Sequence, residues 1–428
     1  MSIDSRLSSL LSGRRAMAAV LVVALVSQIA FFIVLSPEAR TTQSPDYTSF
    51  YEPLARSLAA GQGYRSADGE VSTLYPPGFS IVLAAVFQLS AVTGIPEQAV
   101  MRLFIILGSV LGTLLVFLIA RQALPLRGAA IAALLWSTYP FYVYISKQAN
   151  SETPFAVLLF GALLLFLKDW RSGRPRMTAA AFAGLLLGFA ALVRPLVLFL
   201  PGLLGLLLLW RPGPTGRRSR IAWMAVFTLC YGAVLAPWEI YVQQHTGQWI
   251  PVSTNGRHSM MDGMTFARIP QGSGQLLEVH PKVRALMNAV YDHHRELKTS
   301  GDIVRFFFQY AKQDPEAAAR MLWLKITRVW YATNAQWYEN WNIAVQIPYL
   351  LLVIAGFRLG WRDPENHHLF LMAAAVVAYF WVMAAVVLPI LRYMVPGLAL
   401  LMAPAAVTVD AAIRAIGGGK PGQRRLGS

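Results

Sequence analysis

The chain is a succession of apolar runs separated by short loops rich in arginine and lysine. The runs fall at 16–35, 100–120, 129–145, 155–167, 177–193, 196–210, 221–238, 343–357, 369–388 and 390–409. Several approach the roughly 20 residues needed to cross the hydrocarbon core of a bilayer. The fold class that follows is an all-α polytopic membrane protein with about ten transmembrane helices. With 56% of its 428 residues hydrophobic and 14% charged, the chain carries less charge than a soluble domain of its size. A formal charge of +16 would suggest nucleic acid in a soluble protein. Here it reports topology, because Lys and Arg gather in short loops as the positive-inside rule expects. No nucleic-acid partner is implied.

Charge also orders the spans. Arg14 and Arg15 precede the first run, which is long and lacks a small-residue cleavage site, so it reads as an uncleaved first span leaving a cytoplasmic N-terminus. The segment 78–94 is apolar but short. If it crossed, Arg121 and Arg127 would lie outside; if it stays at the outer surface, they and every later basic loop fall in the cytoplasm. The second assignment is adopted. It gives an N-terminal module 1–238 with an external first loop 36–77 and a surface segment 78–94, then a large external loop 239–341. C-terminal helices 342–414 and a Gly-rich tail 415–428, expected to be disordered, complete the chain. In the large loop, 249–253 reads as a short strand. Asp314-Pro315-Glu316 is a helix start, and Leu322, Ile326 and Val329 fall on one apolar face after it. Trp323, Trp330, Tyr331, Trp337, Tyr338 and Trp341 cluster near re-entry as an interfacial belt. The single cysteine, Cys230, excludes an internal disulfide.

The first external loop is the first polar stretch long enough to hold chemistry. Ser44 suits a helix cap, Pro45 the first turn and Asp46 the positive end of a helix; Tyr47, Phe50, Tyr51, Leu54 and Leu58 then recur at helical spacing. The stretch 47–58 therefore reads as an amphipathic helix on the membrane surface, stopped by Gly61 and Gly63. On this topology Asp46, Glu152, Arg194, Arg392, Asn255, Arg257 and His258 all face outward. Carboxylates and arginines on one face suit transfer of a group from a phosphate-bearing lipid: a carboxylate takes a proton from a hydroxyl, and an arginine holds phosphate. The preference of helix N-termini for acids accounts for Asp46 equally well when it is taken alone. Glu52 and Arg56, four apart, read as a surface pair. The pairs His293-His294 and His367-His368 lack a third ligand at a telling spacing, so no metal site is assigned.

Five motifs in order carry a resemblance. Asp46-Tyr47, Leu54-Ala55, Gly61, Gly63-Tyr64 and Tyr75-Pro76-Pro77-Gly78 together resemble the first external loop of the GT-C glycosyltransferases. The nearer branch is the dolichyl-phosphate-mannose protein mannosyltransferase and aminoarabinose transferase group. Tyr144-Ile145-Ser146 with Ser151-Glu152 resembles its second acidic motif, and Ala191-Leu192-Val193-Arg194-Pro195 its basic turn. Ala236-Pro237-Trp238 with Ser253-Thr254-Asn255-Gly256 resembles the entry to its large loop, and Arg392-Tyr393 with Pro396 its last span.

The resemblance implies inverting transfer of a sugar from a polyprenyl-phosphate donor to an acceptor hydroxyl on a protein, lipid or polysaccharide, at the outer face of a bacterial plasma membrane or in the endoplasmic reticulum lumen; the Ala-, Leu- and Arg-rich composition favours the bacterial membrane. It implies Asp46 as general base and Glu152 as a second acid that binds acceptor or cation. Arg194 and Arg392 would meet the donor phosphate. A lysine that contacts phosphate in the aminoarabinose branch is replaced here by Tyr75, and Arg65 or Arg257 would compensate. Tyr47, Tyr64, Tyr75, Asn255 and His258 are the expected substrate contacts. No cofactor is required beyond the lipid-linked sugar, with a divalent cation as an option. The rival class is a transporter or flippase, which would show ionisable residues in mid-span and internal repeats. The spans are nearly free of charge and no repeat is seen.

Overall fold

The computed structural model describes residues 3–210, 216–268 and 276–416. The expected disordered tail lies, from residue 417 on, outside the described residues. Among the described residues there is no strand; the stretch expected as one, 249–253, runs as bends. Val252 there adopts a left-handed φ of 60°. That conformation is costly for a β-branched residue. It is held because the backbone N–H of Val252 donates to Glu239 at 2.8 Å and its carbonyl accepts from Trp238 Nε1 at 2.7 Å.

Among the described residues, seven helices are long and apolar enough to cross a membrane. They are α1 (Ile3–Val34, apolar from Gly13), α5 (Glu97–Ala120), α8 (Glu152–Ser172), α11 (Arg217–Thr246), α16 (Glu339–Gly360), α17 (His367–Val386) and α18 (Leu391–Ile416). The protein is an integral, multi-pass membrane protein. The three remaining expected spans fall on shorter apolar helices: α6 (Leu126–Ser137) continued by α7 (Pro140–Ile145), α9 (Met177–Val193) and α10 (Leu200–Trp210). Pro140 divides the expected 129–145 span, since proline cannot continue the helical hydrogen bonds behind it. The smaller helices of the first loop are α2 (Pro37–Thr41) and α3 (Glu52–Ala59), followed by α4 (Gly78–Thr93).

The chain forms two compact units. The first comprises residues 1–252, 351–375 and 399–428; the second comprises 253–350 and 376–398. Within the first, α9 is the central strut. A Cβ on Gly184 would stand 2.2 Å from the Phe227 carbonyl oxygen of α11, and one on Gly188 would stand 3.0 Å from that of Tyr231. Glycines four apart let the two helix backbones touch, which is how helices associate when water offers no hydrophobic drive. Arg127 pairs with Asp410 at 2.9 Å, Arg414 binds the same carboxylate, and Arg171 pairs with Glu365. These contacts gather basic loops far apart in sequence at one end of the unit. At the other end, Arg102 at the start of α5 donates to the Arg40 carbonyl at 3.4 Å and lies over the Phe32 ring near the close of α1. The start of α5 therefore meets the end of α1.

The second unit is built on α12 (Asn255–Thr265), α13 (Pro281–Asp292), α14 (Ser300–Gln313) and α15 (Pro315–Arg328). Met260, Met264, Leu286, Met287, Ile303 and Met321 form its core. Thr299 and Asp302 make a reciprocal capping box at α14, and Asp314 caps α15 through the Ala317 N–H at 3.0 Å. On α15, Leu322 and Ile326 are outward, while Ala317, Met321, Lys325 and Arg328 are buried, as is Val329 just after it. Arg328 is neutralised by Glu339, at 2.8 and 3.0 Å. Lys325 has no carboxylate; its Nζ donates to the Val386 carbonyl at 3.0 Å beside an apolar hollow lined by Phe307, Phe308, Trp381 and Val382.

Burial lowers the Lys325 ammonium to about 7 from an ordinary value of 10.5. A depressed lysine penalises the charged folded state in full below about pH 7, and the penalty fades as pH rises toward the unfolded value. Lys325→Met is thus expected to raise the melting temperature most below pH 7, with the gain shrinking toward pH 10. A thermal-unfolding series in detergent checks this, and a gain independent of pH contradicts the buried ammonium.

Candidate active site

Two turns of backbone create the site region of the first unit. At the first, Ser44 Oγ accepts the Tyr47 N–H at 3.2 Å, so the capping role belongs to Ser44. Asp46 makes no side-chain cap and accepts only a long bond from the Tyr75 hydroxyl, at 3.4 Å. The expected 47–58 helix forms, but its first turn, Tyr47–Tyr51, is a π-helical turn before α3 begins. Such single wide turns recur at functional sites, because they turn side chains off the regular helical register. Phe50 and Tyr51 stack around Tyr75 with ring centroids 5.2 and 4.8 Å away. The loop closes through Gly61 and Gly63, both at positive φ, as expected. Gly78 then brings α4 against the end of α9: a Cβ there would stand 2.6 Å from the Leu192 carbonyl.

The second turn is Arg194-Pro195. Proline disfavours helical backbone in the residue before it, and Arg194 is extended at φ −146°, ψ 115°, ending α9. Its guanidinium turns back onto Glu152, the first residue of α8, and onto Ser151 Oγ at 3.1 Å. Glu152 is only 2% exposed and Arg194 12%. The two sequence candidates are therefore brought together as a buried ion pair, each answering the other's charge.

The remaining candidates divide. Tyr64 is a core residue: 3% exposed, its hydroxyl donates to the Tyr75 and Pro76 carbonyls, and its ring meets Trp238 edge-on. It shapes the loop and does not line a surface. Arg65 is exposed and donates to the Gly69 carbonyl at 2.8 Å. In the second unit, Asn255 and His258 lie in the first turns of α12, and Arg392 in the first turn of α18, half-buried. Arg257 is engaged by the Leu297 and His294 carbonyls, both at 2.8 Å, so it braces the segment after α13. Burial followed by the Glu52 charge pushes the Tyr47 phenol up to about 12, so it stays a neutral donor at working pH.

Sequence reasoning missed a polar cavity of about 260 Å³ beside Tyr47. Arg40, Arg56, Glu97, Arg102 and Lys147 line it with Tyr47. Lys147 stands inside the Tyr144–Glu152 motif, where its charge was the available signal. Arg40 and Arg102 belong to no motif and carried none. The Glu52–Arg56 pair expected from spacing is present at 2.7 Å, and Arg56 adds Glu97 at 3.0 Å.

With this geometry in hand, the comparisons can be read. Residues 75–241 match the family model for dolichyl-phosphate-mannose-protein mannosyltransferase. No curated protein matches the sequence. Among solved structures, the oligosaccharyltransferase AglB from Archaeoglobus fulgidus, in complex with an inhibitory peptide and a dolichol-phosphate, superposes with TM-score 0.54 at 14% identity. The match covers 96% of this chain and 52% of AglB. The apo form of that enzyme gives 0.55 at 14%, over 94% of this chain and 52% of AglB. The fold is that of the GT-C glycosyltransferases. ArnT from Cupriavidus metallidurans, bound to undecaprenyl phosphate, gives 0.49 at 17% over 94% of this chain and 62% of ArnT. The chain thus spans about half the length of AglB. AglB has also been solved in complex with Zn and sulfate. Among the described residues no group of three or more His, Cys, Asp or Glu converges, and Glu152 is held by Arg194.

Removing one member of the Glu152–Arg194 pair leaves an uncompensated buried charge. Glu152→Gln and Arg194→Met are each expected to cost about 3–5 kcal/mol, with the double variant Glu152→Gln/Arg194→Met closer to wild type than either. A double-mutant cycle of unfolding in detergent measures this; strict additivity would contradict the pairing.

Proposed function

We propose that the protein is a membrane glycosyltransferase that moves a sugar from a polyprenyl-phosphate carrier to an acceptor hydroxyl, inverting the anomeric carbon, at the outer face of a bacterial plasma membrane. The observation that carries the reading is the state of Asp46. Its carboxylate sits directly before the π-helical turn of the first loop, Ser44 has the capping role, and no cation neutralises it among the described residues. It is therefore able to accept a proton. The likeness to AglB, whose structure holds a dolichol-phosphate, and the match to a family named for a dolichyl-phosphate sugar donor support the carrier. The gathering of basic loops at the end of the first unit away from Asp46 supports the outward orientation.

The chemistry follows from the groups. The acceptor hydroxyl gives its proton to Asp46 as its oxygen attacks the anomeric carbon from the face opposite the carrier. The bond from that carbon to the carrier oxygen breaks, its electron pair stays on the phosphate, and a polyprenyl phosphate leaves. Displacement from the opposite face inverts the centre. The Tyr75 hydroxyl orients the carboxylate. The Glu152–Arg194 pair acts as a positioning element that locks α8 to the end of α9.

Asp46→Asn keeps shape and removes the base. A folded variant is expected to lose transfer from a lipid-linked sugar by about two to four orders of magnitude, read as consumption of radiolabelled donor in detergent. Tyr75→Phe is expected to cost about tenfold or less, because its bond to Asp46 is long. Near-full activity of Asp46→Asn would move the base elsewhere and end this reading.

A further inference from the structure

The cavity beside Tyr47 has cations in excess. Arg56 is matched by Glu52 and Glu97. Arg40, Arg102 and Lys147 meet no carboxylate among the described residues. Arg40 donates to the Leu35 and Ile33 carbonyls at 2.9 and 2.7 Å, closing α1. Arg102 has a 3.4 Å bond to the Arg40 carbonyl and the face of Phe32, 5.0 Å away. Lys147 Nζ donates to the Tyr144 hydroxyl at 2.9 Å. The three come from α2, α5 and the turn between α7 and α8, which is tied in by the Ala149 N–H on Gln43 at 3.1 Å. Nothing in local secondary structure requires three unneutralised cations around one cavity. Like charges gathered this way repel, and the natural counterpart is an anion with several oxygens.

We propose that this cavity holds the phosphate of the lipid carrier, with Arg102 and Lys147 as its principal ligands, Arg40 behind them and the Tyr47 hydroxyl as a neutral donor. The proposal rests on the glycosyltransferase reading and moves the phosphate site away from Arg194, whose charge is answered by Glu152. A guanidinium offers paired donors that match phosphate oxygens, and an ammonium adds a point charge. The step itself favours such a site. When the bond from sugar to oxygen breaks, the carrier passes from a singly charged diester to a doubly charged monoester while the acceptor proton goes to Asp46. Cations fixed around that phosphate stabilise the charge as it develops. Tyr47 opens the π-helical turn and is the residue next to Asp46, so the base and a donor lining the cavity are adjacent in the chain.

The test is equilibrium binding of a long-chain isoprenyl phosphate to the purified full chain in detergent, beside the matching isoprenol, which lacks the phosphate. Wild type should prefer the phosphate. Arg102→Gln/Lys147→Gln should weaken isoprenyl phosphate at least about tenfold and leave isoprenol unchanged, and Lys147→Gln alone, the milder change, should weaken it several-fold. Arg102→Lys should recover part of the loss. Asp46→Asn should bind as wild type yet fail to transfer. Undiminished binding by a double variant with wild-type melting overturns the proposal, as does undiminished binding by Lys147→Gln together with Arg102→Gln tested singly. Displacement of the isoprenyl phosphate by phosphatidylglycerol or inorganic phosphate at equal concentration overturns the carrier as the occupant and assigns a general headgroup or phosphate site. Wild-type chain without any preference for phosphate over alcohol ends the functional reading itself, and this proposal with it.

Discussion

Hydrocarbon offers no partner to a backbone N–H or carbonyl, and most features of this chain follow from that constraint. Each apolar run must close its own hydrogen bonds, so the long runs are helices. Once helical, they cannot associate through a hydrophobic drive, because lipid tails are as apolar as leucine. Close contact between backbones takes its place. Gly184 and Gly188 let α9 lie close against the backbone of α11, and Gly78 lets α4 meet the last turn of α9. The same helix then ends at Arg194-Pro195, where proline forces an extended residue and the guanidinium turns onto Glu152.

Charge at the two ends of the first unit is organised differently. At one end, Asp410 and Glu365 answer arginines from loops distant in sequence, so the basic loops are both a topology signal and a set of struts. At the other end the balance is uneven. Glu152 and Arg194 cancel; Arg56 bridges two glutamates; Arg40, Arg102 and Lys147 stay unneutralised around a cavity; and Asp46 stands directly before a wide helical turn with only a tyrosine hydroxyl near it. A surface that needed only solubility would pair these groups. An uncompensated acid beside uncompensated bases fits a reaction that takes up a proton and releases a phosphate.

Local signals in the sequence were legible where a short-range rule governs the outcome. The Ser44 cap, the glycine stop at 61 and 63, the Asp314 cap and the Glu52–Arg56 pair all involve residues within a few positions of one another. Misreadings have two causes. Apolar 129–145 breaks at Pro140, a local effect of proline on the helix. Polar 249–253 is held in bends by Trp238 and Glu239, where contacts with a neighbouring helix override a local pattern. Tyr64 shows the same effect at the site: the sequence marks a polar aromatic beside a glycine, and the fold uses its hydroxyl to hold two carbonyls of the Tyr75-Pro76 segment.

Hydropathy and loop charge alone determined that this is a multi-pass helical membrane protein and which residues could share its outer face, because the cost of polar groups in hydrocarbon and the bias of basic loops act on composition directly. Motif order pointed to Asp46, Glu152 and Arg194. Only the tertiary structure decided what those residues are to each other. It made Glu152 and Arg194 a buried pair, freed Asp46 from capping, and drew Arg40, Arg102 and Lys147 from three separate segments around one cavity. Arg40 and Arg102 stand 62 residues apart, and Lys147 lies a further 45 along. No periodicity reaches that far; helix packing sets those distances, and they in turn set which charges are neutralised and which remain for a ligand.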